Sequence, residues 1–157
     1  MIITFAGHSS VSFREKVKET VKEQIKNNIK PNEAVNCYVG GYGDFDSICA
    51  CACKELKEEH TCTEVVYVTP YMSLSEQKKI DEMQKSGLID SSVYPPLENV
   101  PPRFAIIKRN EWMVEKADLV IVYIEHNYGG AYKTYKTAIS KGKKTINVFD
   151  FINENIK

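Results

Sequence analysis

A short segment around residue 125 combines a buried-strand pattern with residue types that bind anions. The apolar run at residues 119–124 is followed by Glu125 and then by the pair Gly129-Gly130, which opens a helical pattern. Free backbone N–H groups at a helix start, together with the helix dipole, attract a phosphate or carboxylate. The segment therefore predicts an anion site, although a tight turn that needs two glycines would give the same pattern.

Two side chains between that strand and the glycine pair can contribute chemistry. Glu125 can bind a ribose diol, act as a nucleophile on a glycosidic carbon, or only hold a nearby arginine. Tyr128 can stack on a base or a ribose. Both are expected to contact the ligand, together with Ala131 in the first turn of the helix.

Arg109 is the second candidate, because its helical neighbours Ala105 and Met113 are apolar. A guanidinium in such surroundings is either paired inside the protein or directed toward a ligand. Internal pairing would use Glu125 or Asp118, whereas ligand binding would also recruit the adjacent Asn110.

Two further loops follow predicted strands and complete the candidate site. His8, flanked by Gly7 and Ser9, is either a hydrogen-bonded surface group or a ligand contact. The second loop contains Gly40, Gly41 and Gly43, which do not have the spacing of a dinucleotide fingerprint but permit close approach to the backbone. Either Asp44 or Asp46 can cap the next helix, which would leave the other carboxylate free, and Asp44 is the expected ligand contact.

The elements that must position these residues alternate between strand and helix. Strands are predicted at residues 2–6, 35–39, 64–68, 119–124 and 145–149. This pattern predicts an α/β fold, a Rossmann-like doubly wound parallel five-stranded sheet of order 3-2-1-4-5 with helices on both faces. Ligands bind such sheets at the carboxyl ends of the strands where the order reverses, which is where the candidate loops would meet.

Helix starts and the irregular segment at residues 88–104 give more local predictions. Ser12 with Glu15 and Ser73 with Glu76 have the spacing of capping boxes. Residues 88–104 contain four prolines and exposed apolar residues, Leu97 among them, and are expected over the site or at a homo-oligomer interface.

Length and composition narrow the class of protein. The 157 residues fit one domain at 1–150 with a C-terminal tail at 151–157. The formal net charge is zero, so neither a nucleic acid nor a membrane surface is expected as partner. With no apolar run of membrane length and no signal peptide, a cytoplasmic protein is expected.

Five cysteines without paired spacing are expected to be reduced thiols, with Cys49 and Cys53 on one helical face.

Five segments together resemble the SLOG superfamily, a Rossmann-like group that includes the Lonely Guy phosphoribohydrolases and DNA-processing-A-like proteins. They are residues 5–9, 38–46, 69–71, 109–114 and 125–131. The resemblance is greatest to small bacterial and phage members, and nucleoside deoxyribosyltransferases have a related fold. It implies a nucleotide-derived ligand, such as a signalling molecule related to ADP-ribose. Lonely Guy enzymes carry a catalytic glutamate after their glycine motif, whereas this chain has Lys136 at that position.

The expected function is therefore binding of a small nucleotide-derived ligand, as a sensor or by sequestration, for example of an anti-phage defence signal. The alternative is an N-glycosidic hydrolase or transferase that uses Glu125, and a structural or interaction domain is a third hypothesis. No metal and no cofactor are expected.

Overall fold

The computed structural model describes residues 1–156, and it describes side chains for residues 1–152. Six strands form one sheet: β1 (Ile2–Gly7), β2 (Val35–Val39), β3 (Thr63–Val68), β4 (Ser91–Val93), β5 (Leu119–Tyr123) and β6 (Lys144–Asn147). Six α-helices accompany it: α1 (Arg14–Asn28), α2 (Asp44–Glu59), α3 (Leu74–Lys85), α4 (Ala105–Lys116), α5 (Gly130–Ser140) and α6 (Val148–Ile156). A 3-10 helix at Pro102–Phe104 precedes α4.

The sheet is entirely parallel, with the order β4-β3-β2-β1-β5-β6. The predicted α/β fold is confirmed, and the five predicted strands have the predicted order. The sixth strand, β4, comes from the segment expected to be irregular and pairs with Val66–Val68 at the sheet edge. Three residues are too few to give a periodic pattern, so the sequence did not reveal this strand.

Helices cover both faces of the sheet, so side chains alternate between two cores. Phe5 and Ile121 belong to the larger core, which lies against α1, α2 and α6. Ala6 and Val120 belong to the smaller core, which includes Val114 of α4 and, on α5, Ala138. None of the helices described here is both long and apolar enough to cross a membrane.

The start of α1 differs from the prediction. Ser12 does not cap this helix, because the N-cap position is Phe13, in the left-handed region at φ 57°. The preceding loop is held instead by Asp44, whose Oδ2 accepts a hydrogen bond from the Val11 N–H at 3.0 Å. A contact 33 residues away in sequence therefore replaces the local capping box.

The second capping box is formed only on one side. Ser73 caps α3 by accepting a hydrogen bond from the Glu76 N–H at 3.3 Å. The Glu76 carboxylate is buried and accepts hydrogen bonds from the hydroxyls of Tyr67 and Thr69. Its side chain thus ties α3 to the end of β3.

The end of the chain is more helical than expected, since β6 stops at Asn147 and Val148 begins α6. The Asn147 side chain accepts hydrogen bonds from the N–H groups of Ile124 and Phe149, which ends the strand there. The proposed boundary at residue 150 lies inside α6, and the division into domain and tail stays a prediction.

Leu97 is buried, at 6% exposure, and not exposed as the sequence suggested.

Cys49 and Cys53 share a buried face of α2, whereas Cys51 is exposed, and all five cysteines are free thiols. The homo-oligomer expected from residues 88–104 stays a prediction.

Candidate functional site

The loops after β1 and β5 meet at the carboxyl edge of the sheet, where Gly7 of β1 is in register with Tyr123 of β5. A cavity of about 420 Å³ opens there. It is lined by seven predicted site residues, Gly7, His8, Ser9, Tyr128, Gly129, Gly130 and Ala131, and by two that the sequence analysis did not select, Tyr42 and His126.

A smaller cavity of about 160 Å³ adjoins the first and shares several of its walls. Arg109 and Asn110 line this second cavity, together with Asp46. The structure therefore brings the predicted helix residues and the predicted glycine turn to one place. Neither of these two cavities is lined by Gly40, Gly41, Gly43 or Asp44.

Three aromatic rings form a continuous stack beside the larger cavity. The rings of His8 and His126 are 3.7 Å apart between centroids and nearly parallel, at 8°. The rings of His126 and Tyr128 are 3.8 Å apart at 17°. Tyr128 ends the stack and is 67% exposed, so its ring contacts His126 on one face and is otherwise largely open to solvent.

His8 holds the loop that carries this stack. Its Nε2 atom faces the N–H groups of Glu125 and His126, at 3.0 and 3.4 Å. Nε2 must therefore be the unprotonated nitrogen, because only an unprotonated nitrogen accepts a hydrogen bond. Burial, and next the neighbouring His126, lower the pKa of His8, whereas Glu125 acts in the opposite direction.

The N-terminus of α5 opens into the larger cavity. Its N-cap residue, Gly129, has φ 93° and ψ 177°, a conformation that other residues rarely adopt. No side chain caps the helix within the described residues, and its first turn contains no acid. A Cβ atom built on Gly129 or Gly130 would meet no atom within 4 Å. The unpaired N–H groups of a first helical turn are thus accessible here.

The N-terminus of α2 has the same backbone geometry but is closed. Gly43, its N-cap, has φ 92° and ψ 174°. A Cβ atom there would lie 2.8 Å from the Cα of Ser9, and the Asp44 N–H donates to the Ser9 carbonyl at 3.0 Å. Of the two glycine turns, only the one before α5 is free to receive an anion.

Neither aspartate of α2 acts as the N-cap: Asp44 is bonded to the segment before α1 and the start of α1, and Asp46 to the loop before α2. Asp44 forms an ion pair with Arg14 at 2.9 Å in addition to its bond with Val11. Asp46 accepts hydrogen bonds from the N–H groups of Gly41 and Tyr42. The expectation of one spare carboxylate therefore overlooked two long-range partners.

Arg109 is almost fully buried, at 2% exposure. Its Nη1 donates to the Val68 carbonyl at 2.9 Å, and its Nε donates to the side chain of Asn110 at 3.1 Å. Burial lowers the pKa of Arg109, and Asp46 opposes that effect. Burial also raises the pKa of Asp46 to about 6, although the hydrogen bond from the Tyr42 N–H and the charge of Arg109 both act to lower it. The two charges stabilise each other at the base of the smaller cavity.

The salt bridges considered for Arg109 are not formed. Glu125 is exposed, and its backbone N–H, not its carboxylate, contacts His8. Asp118 accepts a hydrogen bond from the Ile2 N–H. Trp112, on the same helix, is half-buried and stacks on Tyr38.

The sequence also contains a charge signal that the whole-chain count concealed. Residues 126–149 include five lysines and no Asp or Glu, so the rest of the chain carries the compensating negative charge. Lys133 and Lys136 are exposed on the first two turns of α5. Tyr132 and Tyr135 are interleaved with them. A local charge count would have revealed this basic and aromatic strip.

Two solved structures share this fold. DNA processing protein A from Streptococcus pneumoniae matches with a TM-score of 0.59 and 16% identity, over 91% of this chain and 48% of that one. DNA processing protein A from Helicobacter pylori, which binds single-stranded DNA, matches with a TM-score of 0.60 and 13% identity, over 99% of this chain and 72% of that one. This chain thus spans about half of the first of these proteins. No protein-family model and no curated protein matches the chain.

These neighbours correct the function expected from the sequence. The resemblance to small ligand-binding SLOG proteins was wrong, because the structural neighbours are DNA processing proteins and one of them binds single-stranded DNA. The small nucleotide-derived ligand, the ADP-ribose-like signal and its sequestration are withdrawn for the same reason. The expected absence of a nucleic-acid partner is contradicted by the neighbour that binds single-stranded DNA, and the neighbours do not support the N-glycosidic hydrolase or transferase. The error arose because a net charge of zero hides a basic segment balanced elsewhere.

Proposed function

We propose that this protein binds single-stranded DNA at the carboxyl edge of its sheet. The observation that carries the proposal is the stack of His8, His126 and Tyr128, which ends on an exposed ring beside the open N-terminus of α5. The ring supplies a platform for a base, and the helix N-terminus supplies donors for the adjoining phosphate.

The stack favours an unpaired base over a paired one. Each base of a single strand can present a flat face to an aromatic ring, whereas in a duplex those faces are already stacked on neighbouring pairs. Such a contact contributes about 1–3 kcal/mol per base without requiring a particular sequence. Because His126 and His8 hold the ring of Tyr128 in place, little side-chain entropy is lost on binding.

The phosphate contact is supported by three features around α5. The helix has no acid in its first turn, and Lys133 is exposed on that turn. The buried guanidinium of Arg109 lines the adjoining cavity together with Gly130. Lys133 lines a neighbouring cavity that shares Asn110 and Gly130 with this one, so a chain whose net charge is zero can still place positive groups on both sides of Gly130.

The Helicobacter pylori protein supports the class of partner, since it binds single-stranded DNA and has this fold over 99% of the present chain. Among the residues selected from the sequence, the ones we assign to the DNA site are Gly7, His8, Tyr128, Gly129, Gly130 and Ala131, with Arg109 and Asn110 beneath them. Glu125 has no catalytic role in this proposal. The expected cytoplasmic location belongs to the same proposal, because a cytoplasm supplies single-stranded DNA.

The test is fluorescence anisotropy with a labelled oligothymidine, the matching duplex and free thymidine monophosphate as competitors. We expect the single strand to bind, and the duplex and the mononucleotide to compete poorly. Tyr128→Ala should lose about 1–3 kcal/mol of binding free energy, because the base platform is removed.

Tyr128→Phe is the matched control, because it keeps the ring and removes only the hydroxyl. It should bind nearly as well as the wild-type protein. Ile139→Ala replaces an exposed residue near the C-terminal end of α5 and should have no effect on binding. Equal affinity for duplex and single strand, or full binding by Tyr128→Ala, would contradict the proposal.

A further inference from the structure

We infer that His8 is a positioning residue whose neutral imidazole holds the loop from Glu125 to Gly129 in its DNA-binding conformation, so that acidification releases this loop and weakens binding. This inference rests on the proposed function and adds its regulation by pH. It concerns a residue that acts through the loop and not through contact with the DNA phosphate.

The two hydrogen bonds to His8 Nε2 connect parts of the chain that are 117 and 118 residues apart. They come from the N–H groups of Glu125 and His126, the first two residues after Ile124. A protonated imidazole has donors on both nitrogens and no acceptor. Protonation of His8 therefore removes both bonds. The N–H groups of Glu125 and His126 would then face the N–H of the protonated Nε2, which repels them.

The same loop contains both parts of the proposed DNA site. His126, whose N–H is held by His8, stacks between His8 and Tyr128, and Gly129 follows as the N-cap of α5. The backbone N–H of His8 itself donates to the Tyr123 carbonyl at 3.4 Å, which connects His8 to β5. When the two Nε2 bonds break, the base platform loses the support that fixes its position.

The ionisable groups around His8 favour its neutral form. Tyr123 on β5 is in edge contact with its ring, and His126 and Glu125 face it from the loop. Tyr42, on the loop before α2, lines the same cavity. Burial is the largest influence and His126 the next, and together they lower the pKa of His8 below its ordinary 6.5 despite Glu125.

The sign of the pH effect follows from this lowered pKa. The folded loop prefers neutral His8, so its stabilisation is complete above pH 6.5 and is lost as the pH falls toward and below the lowered pKa. DNA binding should then weaken by up to about tenfold per pH unit below that pKa, as expected for one linked proton. A histidine that contacted phosphate directly would give the opposite trend, because its positive charge strengthens binding at low pH.

Three variants separate His8 from other sources of pH dependence, with binding of labelled oligothymidine measured at neutral and acidic pH. His8→Gln keeps an acceptor oxygen at the end of the side chain but cannot titrate, so its binding should be the same at both pH values and tighter than that of His8→Ala. His8→Ala should bind weakly at both. His126→Phe removes the second imidazole from the stack. Its binding, taken relative to its own value at neutral pH, should still fall on acidification, and at a higher pH than in the wild type because an influence that lowers the pKa of His8 is gone.

The two hydrogen bonds to His8 Nε2 can also be tested without DNA, on the wild-type protein alone. In ¹⁵N NMR spectra, Nε2 of His8 should have the shift of an unprotonated nitrogen at neutral pH, and the amide signals of Glu125 and His126 should shift with the titration of His8. If the wild type fails to bind oligothymidine at neutral pH, the proposed function fails. The NMR result still decides whether neutral His8 accepts the hydrogen bonds of Glu125 and His126.

Three results would overturn the inference. Wild-type binding could stay constant or strengthen on acidification, His8→Gln could lose binding at low pH as the wild type does, or Nε2 of His8 could be protonated at neutral pH. Any one of them assigns the loop conformation to something other than neutral His8.

Discussion

At the scale of single residues, Arg109 shows how burial changes a role expected from residue type. Its surroundings are apolar, as its helical spacing indicated, but its nearest partners are the Val68 carbonyl and Asn110. It also faces Asp46, whose pKa is raised to about 6 mainly by burial. Arg109 therefore supports the floor of the site and adds positive potential to the cavity above it.

Replacing Arg109 should destabilise the fold and change the titration of Asp46. Arg109→Met leaves the Val68 carbonyl without its donor and Asp46 without its positive neighbour, and we expect a loss of about 3 kcal/mol of unfolding free energy. The pKa of Asp46 should rise above its present value of about 6, because an opposing influence is removed. Urea denaturation and ¹³C NMR of the Asp46 carboxyl measure the two effects.

The pH dependence has a definite sign. Between the ordinary pKa of 3.8 and about 6, native Asp46 holds a proton that the unfolded chain releases. Its contribution to stability is therefore complete below pH 3.8 and falls as the pH rises through about 6. Arg109→Lys, which keeps the charge but not the planar guanidinium, should restore part of the stability. An unchanged Asp46 titration in Arg109→Met would show that the two groups are not coupled.

At the scale of elements, the helices α2 and α5 begin in the same backbone conformation but meet different surroundings. Gly43 is covered by Ser9, and the first turn of α2 contains two aspartates. Gly129 and Gly130 are uncovered, and the first turn of α5 contains no acid. The anion-binding capacity of a glycine turn thus depends on what packs against it.

Gly130→Asp should separate folding from DNA binding. A side chain at this position enters open space, and a negative charge at a helix N-terminus stabilises the helix by about 0.3–1 kcal/mol. The same charge occupies the proposed phosphate site, so oligothymidine binding should fall at least about tenfold. Thermal unfolding and anisotropy on the same sample measure both quantities.

Gly130→Asn is the control for this change, because it has the same shape without the charge. It should retain most of the binding that Gly130→Asp loses. Equal loss in both variants would attribute the effect to bulk, and full binding by Gly130→Asp would remove α5 from the DNA site.

At the scale of the whole molecule, charge is segregated along the chain. The zero net charge combines an acid-free basic segment at residues 126–149 with a compensating acidic remainder. On the face of the sheet opposite α1, the helix α5 carries the exposed Lys133 and Lys136 of this segment. Binding of a single strand to that side should depend strongly on salt.

Lys133 gives a quantitative test of this charge distribution. Lys133→Ala should weaken oligothymidine binding regardless of base sequence and reduce the slope of log affinity against log salt by about 0.7. Lys16→Ala, an exposed lysine on α1, should leave both the affinity and the slope unchanged. Equal effects of the two substitutions would indicate non-specific attraction without a defined DNA path.

Local sequence patterns determined the secondary structure and most of the topology. Apolar β-branched runs identified the five longer strands, and the preference for short right-handed crossovers then fixed their order. The position of the glycine turn before α5 followed as well, because parallel strands bring the exits of β1 and β5 to one edge. The three-residue β4 carried no periodic signal and could not be found in this way.

Tertiary structure decided which candidate residues share the site and what each one contacts. Gly43 and Gly129 have the same φ and ψ, but only the packed fold shows that Ser9 closes the first and that the second stays open. The hydrogen bonds from Glu125 and His126 to His8 join residues more than a hundred positions apart. Sequence periodicity reports the burial of a residue within its own element, whereas these partners are set by the arrangement of different elements in space.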